Sequence, residues 1–90
     1  MPRIAFLVSG DVQGVGFRYF TREQASAAGL AGWVRNRFDG KVEGEAEGSE
    51  VALAAFVDQL RRGPVTASVD SVGTHPVPET GSVGGFRIER

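Results

Sequence analysis

The chain of 90 residues has no cysteine, one histidine, one tryptophan, one tyrosine and one methionine. Without cysteine there is no disulfide, no thiolate metal ligand and no cysteine nucleophile. An excess of charge is also missing. Ten Lys and Arg stand against eleven Asp and Glu, for a net charge of −1. That balance argues against a nucleic-acid binder, whose domain would be strongly basic, and against a polybasic membrane surface. No run approaches the roughly 18 apolar residues of a membrane span. The first residues lack the apolar core of a secretory signal. The absence of cross-links in so small a domain points to a cytoplasmic location, and short strands with a modest core fit a monomer. The length suits one domain, residues 1–90. Glycine, by contrast, is abundant at 13 residues, which implies many tight turns.

Ile4, Phe6 and Val8 alternate with Ala5, Leu7 and Ser9, the period of a strand, and apolar residues on both sides predict a central one. From Phe17 the spacing turns helical, with Phe17, Phe20, Gln24, Ala27 and Ala28 on one face and Gly29 as terminator. Ala31 to Asn36 reads as a second strand, and Asp39-Gly40 as the turn of a hairpin into a third, Val42 to Glu47. Glu43, Glu45 and Glu47 share one face of that third strand, which is expected to be wet. Ser49 predicts a helix N-cap, and Leu53, Phe56, Val57 and Leu60 form its apolar stripe. Arg61, Arg62 and Gly63-Pro64 close that helix. Ser68 to Thr74 is expected to be a strand, His75 to Gly85 a loop, and Phe86 to Ile88 a short final strand. This order predicts an α+β fold of the ferredoxin-like, split β-α-β kind (βαββαβ): an antiparallel sheet with two helices on one face.

Most of the chemical information lies in Gly10 to Arg18, Gly-Asp-Val-Gln-Gly-Val-Gly-Phe-Arg, between the first strand and the first helix. A glycine-bearing turn at a helix start gathers main-chain N–H groups into one concavity, and an arginine adds a planar fork of donors. Together they suit a small tetrahedral anion, above all a phosphoryl group. The nucleotide P-loop is excluded because Phe17-Arg18 follows Gly16 where Lys and Ser or Thr are needed. The dinucleotide fingerprint fails because Tyr19 stands where its last glycine belongs. The plainer reading is that Gly14 and Gly16 only permit a sharp turn and Arg18 is solvated. Against it, a cation in the first helical turn is disfavoured by roughly 0.3–1 kcal/mol, a penalty that a bound anion reverses.

Asn36 ends the stretch Gly32-Trp33-Val34-Arg35-Asn36. It is either a turn-forming asparagine or an amide that holds a water by one group and a phosphoryl oxygen by the other. His75, beside Pro76, reads as a solvated loop residue. The alternating glutamates read as a solvated face rather than a metal site. Trp33 with Phe17 and Phe20 reads as core. An RNA-recognition sheet would show aromatics on its middle strands, where this chain has glutamates.

Val12-Gln13-Gly14-Val15-Gly16-Phe17-Arg18 and Gly32-Trp33-Val34-Arg35-Asn36, taken together, resemble the two signature segments of the acylphosphatases, and the likeness runs over the whole chain. The resemblance implies a ferredoxin-like fold and hydrolysis of acyl phosphates, small-molecule substrates, to a carboxylate and inorganic phosphate. It implies that Arg18 binds the phosphoryl group and Asn36 positions the attacking water. The main chain of Gln13, Gly14, Val15, Gly16 and Phe17 would cradle the phosphate oxygens, and neither metal nor cofactor would be required. Such chemistry suits this residue set, because a carboxylate leaving group needs little protonation and phosphoryl transfer depends on positioning and charge stabilisation. Two positions depart from commoner patterns of the family: Asp11, often basic or neutral, and Arg37, in some members threonine. Arg37 is a candidate to steer anionic substrates. Two other functions remain open on the residues: a non-catalytic phosphate or phosphometabolite-binding module, and a detached relative of the acylphosphatase-like domains of larger carbamoyl-transfer proteins.

Overall fold

A computed structural model describes residues 1–90. In chain order the elements are β1 (Arg3–Asp11), α1 (Phe17–Ala27), β2 (Ala31–Asn36), β3 (Val42–Glu47), α2 (Glu50–Arg62), β4 (Ser68–Val77) and β5 (Phe86–Ile88). The strands form one sheet in the order β4-β1-β3-β2-β5. β1 pairs antiparallel with β3 and β4, and β2 antiparallel with β3. This is the expected ferredoxin-like α+β arrangement, with β1 paired on both sides. One feature departs from the expected antiparallel sheet: β5 lies parallel to β2, which makes the sheet mixed. The chain crosses from the β4 edge to the β2 edge and turns at Gly84 and Gly85, both at positive φ. Gly32 N–H then donates to Gly85 O and Glu89 N–H to Val34 O, which fixes the parallel register.

Both helices cover the same face. Phe6 and Val8 of β1, Val34 of β2, and Val42 and Ala46 of β3 share one buried cluster with Phe17 and Ala25 of α1 and Leu53, Phe56 and Leu60 of α2. Phe56 is the hub, with its ring 5.5 Å from that of Phe6 and 6.0 Å from that of Phe86. Truncating such a side chain costs about 3–5 kcal/mol, against a total stability of roughly 5–14 kcal/mol for a chain of this size. The caps of α2 are those the sequence predicts. Ser49 Oγ accepts from Ala52 N–H, and Gly63, at φ 64°, donates to Gln59 O.

Three expectations need correction. The buried face of α1 is Phe17, Thr21 and Ala25, while Ala27 is exposed. Thr21 reads as polar, but its hydroxyl donates to Phe17 O at 2.9 Å, so it buries without an orphaned donor. Trp33 is not in the core. Gly32, Val34 and Asn36 take the helix side of β2, so period two sends Trp33 to the opposite face, where the Arg35 guanidinium lies 5.1 Å over its ring. Finally, β4 runs on to Val77, with His75 opposite Ala5 and Pro76 opposite Ile4. Pro76 is tolerated because β4 is an edge strand.

Candidate active site

The loop from Val12 to Gly16 is held at both ends by the core, since Val12 and Phe17 are each about 1% exposed. Gly14 (φ 74°) and Gly16 (φ 80°) lie in the left-handed region, where other L-residues pay roughly 1–2 kcal/mol. Gly16 is the N-cap of α1 and offers no capping side chain. The main-chain N–H groups from Gln13 through Tyr19 donate to no protein acceptor. The last of these belong to the first turn of α1, where the helix leaves its donors unpaired by geometry; the earlier ones belong to the glycine turn. Such a run of free donors, with the positive end of the helix dipole behind it, has the chemistry to receive an anion.

Arg18, half-buried in that first turn, forms no ion pair with any carboxylate. The arginines of the β2–β3 hairpin differ. Arg35 bonds Glu43 at 2.7 Å, and Arg37 bonds Glu43 at 2.9 Å and Asp39 at 3.2 Å. The hydrogen bond from Arg37, then the Lys41 N–H, holds the Asp39 carboxyl below its usual range. Burial works to raise Glu43, but Arg35 and Arg37 outweigh it and lower it. Arg37 is therefore held by the carboxylates of its own hairpin. Asp11 is exposed and pairs through the main chain with Ser68, next to buried Val12.

Asn36 reaches the same corner by strand register. Val8 of β1 pairs with Val42 of β3, and Val42 with Asn36 of β2, so the three form one row across the sheet on its helix side. Two strand spacings, roughly 10 Å, separate Val8 from Asn36, and the loop leaves β1 just beyond that row. The Gln13 side chain closes the gap. Its Nε2 donates to Arg37 O at 2.7 Å and to Lys41 O at 2.9 Å, which clamps the loop to the hairpin beside Asn36. Asn36 Oδ1 is buried and has no hydrogen-bond partner, the only such side-chain atom in the structure. An orphaned buried acceptor is rare and costly, and it leaves Asn36 Oδ1 able to accept from a ligand or a water. Gly32 lets β2 approach this closely. At φ 150° it packs on the Glu45 carbonyl, where a Cβ would collide.

A groove of about 650 Å³ passes Asn36 and is walled by Arg35, Arg37, Phe38, Asp39, Glu43 and Arg90. Arg18 and the Gln13–Phe17 main chain are not among its walls.

The glutamates of β3 face away from the helices, as expected, but the face is not uniformly wet. Glu47 is only 3% exposed. It accepts from Thr80 N–H, the Thr80 hydroxyl, Gly81 N–H and Arg3 Nη1. Led by the Thr80 N–H, these hold its pKa down to about 2. Burial opposes the Arg3 charge, yet Glu45 and Glu47 leave its pKa raised. The segment after β4 is thereby tied to the sheet through Thr80 and Gly81. No three His, Cys, Asp or Glu side chains come together as a metal-binding group, and no helix is long and apolar enough to cross a membrane.

Two contacts that hold the loop escape sequence reading. The Gln13 side chain acts outside the turn in which it is written, and Thr66, in the connection from α2 to β4, donates its hydroxyl to Val15 O at 2.8 Å. Nothing local to Thr66 signals that role.

Residues 4–88 match the acylphosphatase family model. The acylphosphatase of Moorella thermoacetica is 57% identical over 72 residues, which cover 80% of this chain and 77% of that protein. Among solved structures, the acylphosphatase of Bacillus subtilis superposes with a TM-score of 0.94 at 40% identity, over 100% of both chains. The HypF protein of T. kodakarensis contains a similar region: TM-score 0.85, 32% identity, 100% of this chain but 12% of that one.

Proposed function

Because the chain belongs to the acylphosphatase family and hydrolyses acyl phosphates to a carboxylate and inorganic phosphate, we propose that Arg18 and the main chain of Gln13, Gly14, Val15, Gly16 and Phe17 grip the phosphoryl group while Asn36 holds the attacking water. What supports this assignment is a loop of unpaired N–H donors that leads into Arg18, an arginine without a carboxylate, and that Gln13 clamps to the hairpin beside Asn36, whose buried amide oxygen has no partner. Asn36 Oδ1 accepts a hydrogen bond from the water, whose oxygen lone pair stays free for phosphorus; the water's protons end on the phosphate formed or in solvent. Its Nδ2 is free to donate to a phosphoryl oxygen. Attack proceeds in line. As the bond to the carboxylate oxygen breaks, negative charge spreads over the phosphoryl oxygens and the departing carboxylate. The loop donors and the Arg18 fork stabilise that charge without rearrangement, and the Arg18 contact is bidentate in a way that lysine does not reproduce. A departing carboxylate is stable unprotonated, so no general acid is called for.

On this reading the substrates are small acyl phosphates, residues 1–90 act as one domain, and the protein works as a cytoplasmic monomer without nucleic acid, metal or cofactor. The absence of cysteine and the near-zero net charge support this setting. A non-catalytic phosphate binder is not favoured, since the relatives are named as enzymes. The test is turnover of benzoyl phosphate by the purified protein with a chelator present, with inorganic phosphate as a competitive inhibitor. Wild-type turnover in both Arg18→Lys and Asn36→Ala would remove the assigned roles.

A further inference from the structure

Gly14, Val15 and Gly16 form the softest part of the cradle. Glycine accepts either sign of φ, so the peptide between Val15 and Gly16 can rotate by changing ψ of Val15 and φ of Gly16 without steric penalty at the glycine. Open space adjoins the Gly16 Cα, since a Cβ built there meets no atom within 4 Å. A rotated peptide would present the Val15 carbonyl oxygen where the Gly16 N–H stood. In an anion site that exchanges an attraction for a repulsion.

The peptide is planar and trans, so its C=O and N–H point in opposite directions. Holding one holds the other. Thr66 Oγ1 donates to Val15 O at 2.8 Å across 51 residues of sequence. Thr66 is itself held on a firm support. The turn that carries it is closed by Ala67 N–H donating to Pro64 O at 3.0 Å, and it starts from Gly63, whose N–H caps α2 on Gln59 O. Gly63 packs close to the Phe17 ring at the base of α1 and to Val69. The hydroxyl thus reaches the cradle from a fixed point outside both signature segments.

We infer that Thr66 is a positioning residue for the phosphate cradle, which pins the Val15 carbonyl outward so that the Gly16 N–H faces the phosphoryl group. It touches no reacting atom and acts through the orientation of one peptide. This rests on the reading that the cradle binds phosphate, and the experiment separates the two. Inorganic phosphate is titrated as an inhibitor of benzoyl phosphate hydrolysis and by isothermal calorimetry, with Thr66→Val, Thr66→Ser and Arg18→Ala beside the wild type. Loss of one hydrogen bond from a partly solvated hydroxyl weakens phosphate by about three- to tenfold in Thr66→Val. kcat/KM falls by at least the same factor, and the thermal midpoint stays near that of the wild type. Thr66→Ser, which keeps the hydroxyl, stays within about twofold of the wild type. Wild-type phosphate affinity in Thr66→Val, or equal losses in the Ser and Val variants, overturns this inference while the Arg18→Ala loss leaves the phosphate reading standing. Wild-type affinity in Arg18→Ala as well overturns both.

Discussion

Replacing Asn36 by leucine separates a functional amide from a structural one, because the two roles predict opposite signs. The side chain points to the helix side of β2, in the row with Val8 and Val42, and its Oδ1 is buried without a partner. Leaving a buried acceptor unsatisfied costs about 1–3 kcal/mol, whereas an apolar group of the same shape carries no such penalty. Immobilising a water there offsets part of that cost at up to about 2 kcal/mol of entropy. Leucine fills the same outline and removes the orphan, so the variant is expected to be at least as stable as the wild type, with a gain of about 1 kcal/mol. For a domain this small that raises the thermal midpoint by about 4–8 °C. Turnover moves the other way. Without the amide the water loses its anchor, and kcat for benzoyl phosphate falls by about 10²–10³, the usual effect of removing one preorganised polar contact. Phosphate binding through Arg18 and the loop persists. Calorimetric unfolding and ultraviolet detection of benzoyl phosphate loss measure the two arms. Wild-type turnover, or a loss of more than about 1 kcal/mol of stability, would refute the reasoning: the first says the amide holds no nucleophile, the second that Asn36 is a structural turn residue.

Arg18→Ala relieves a cation in the first helical turn and should gain about 0.3–1 kcal/mol in phosphate-free buffer. Phosphate at about 100 times its dissociation constant stabilises the wild type by about 2.7 kcal/mol, and a thermal shift of that size in Arg18→Ala would contradict the assignment. Gly14→Ala and Gly16→Ala meet no neighbour and pay only the left-handed backbone, about 1–2 kcal/mol each. Gly32→Ala collides with the Glu45 carbonyl and should be the least stable of the three by urea unfolding, an order that equal midpoints would disprove. Glu47, with its folded pKa held to about 2 against an ordinary 4.5, contributes stability that is full above pH 4.5 and lost as pH falls toward 2. Glu47→Gln should therefore be less stable than the wild type at neutral pH, with the gap closing on acidification. A gap that widens in acid would show that the carboxylate is not favoured in the fold.

What the sequence revealed, and what it hid, follows from the range over which each residue acts. The helix caps at Ser49 and Gly63 and the Asp39-Gly40 turn were legible because their constraints are satisfied within a few residues. Arg18 and Asn36 were legible as chemistry, since a cation placed against the helix dipole and a bare amide at a strand end both ask for a reason. Thr21 was hidden by its own hydroxyl, which a bond to Phe17 O turns into a core group. Trp33 reads as core by its hydrophobicity alone, yet Gly32 and Val34 on either side take the helix face, and the strand period turns Trp33 to the opposite one. Pro76 suggested a loop until β4 proved to be an edge, a fact that only the sheet order supplies.

The cradle itself shows where local reading stops. Its glycines reveal that the chain must turn, and the same freedom leaves the direction of each N–H undetermined by the motif. Direction is imposed by contacts that reach beyond the turn, from the Gln13 side chain to the carbonyls of Arg37 and Lys41 and from Thr66 to that of Val15. Neither contact uses a main-chain N–H of the loop, so both hold the site open without competing with the ligand. A loop anchored through one side chain and one carbonyl while its main-chain donors stay free can stabilise charge with little reorganisation, and most of the rate advantage in phosphoryl transfer arises there. The glycine turn therefore supplies the donors, and contacts that reach beyond it to the hairpin and to Thr66 supply their aim.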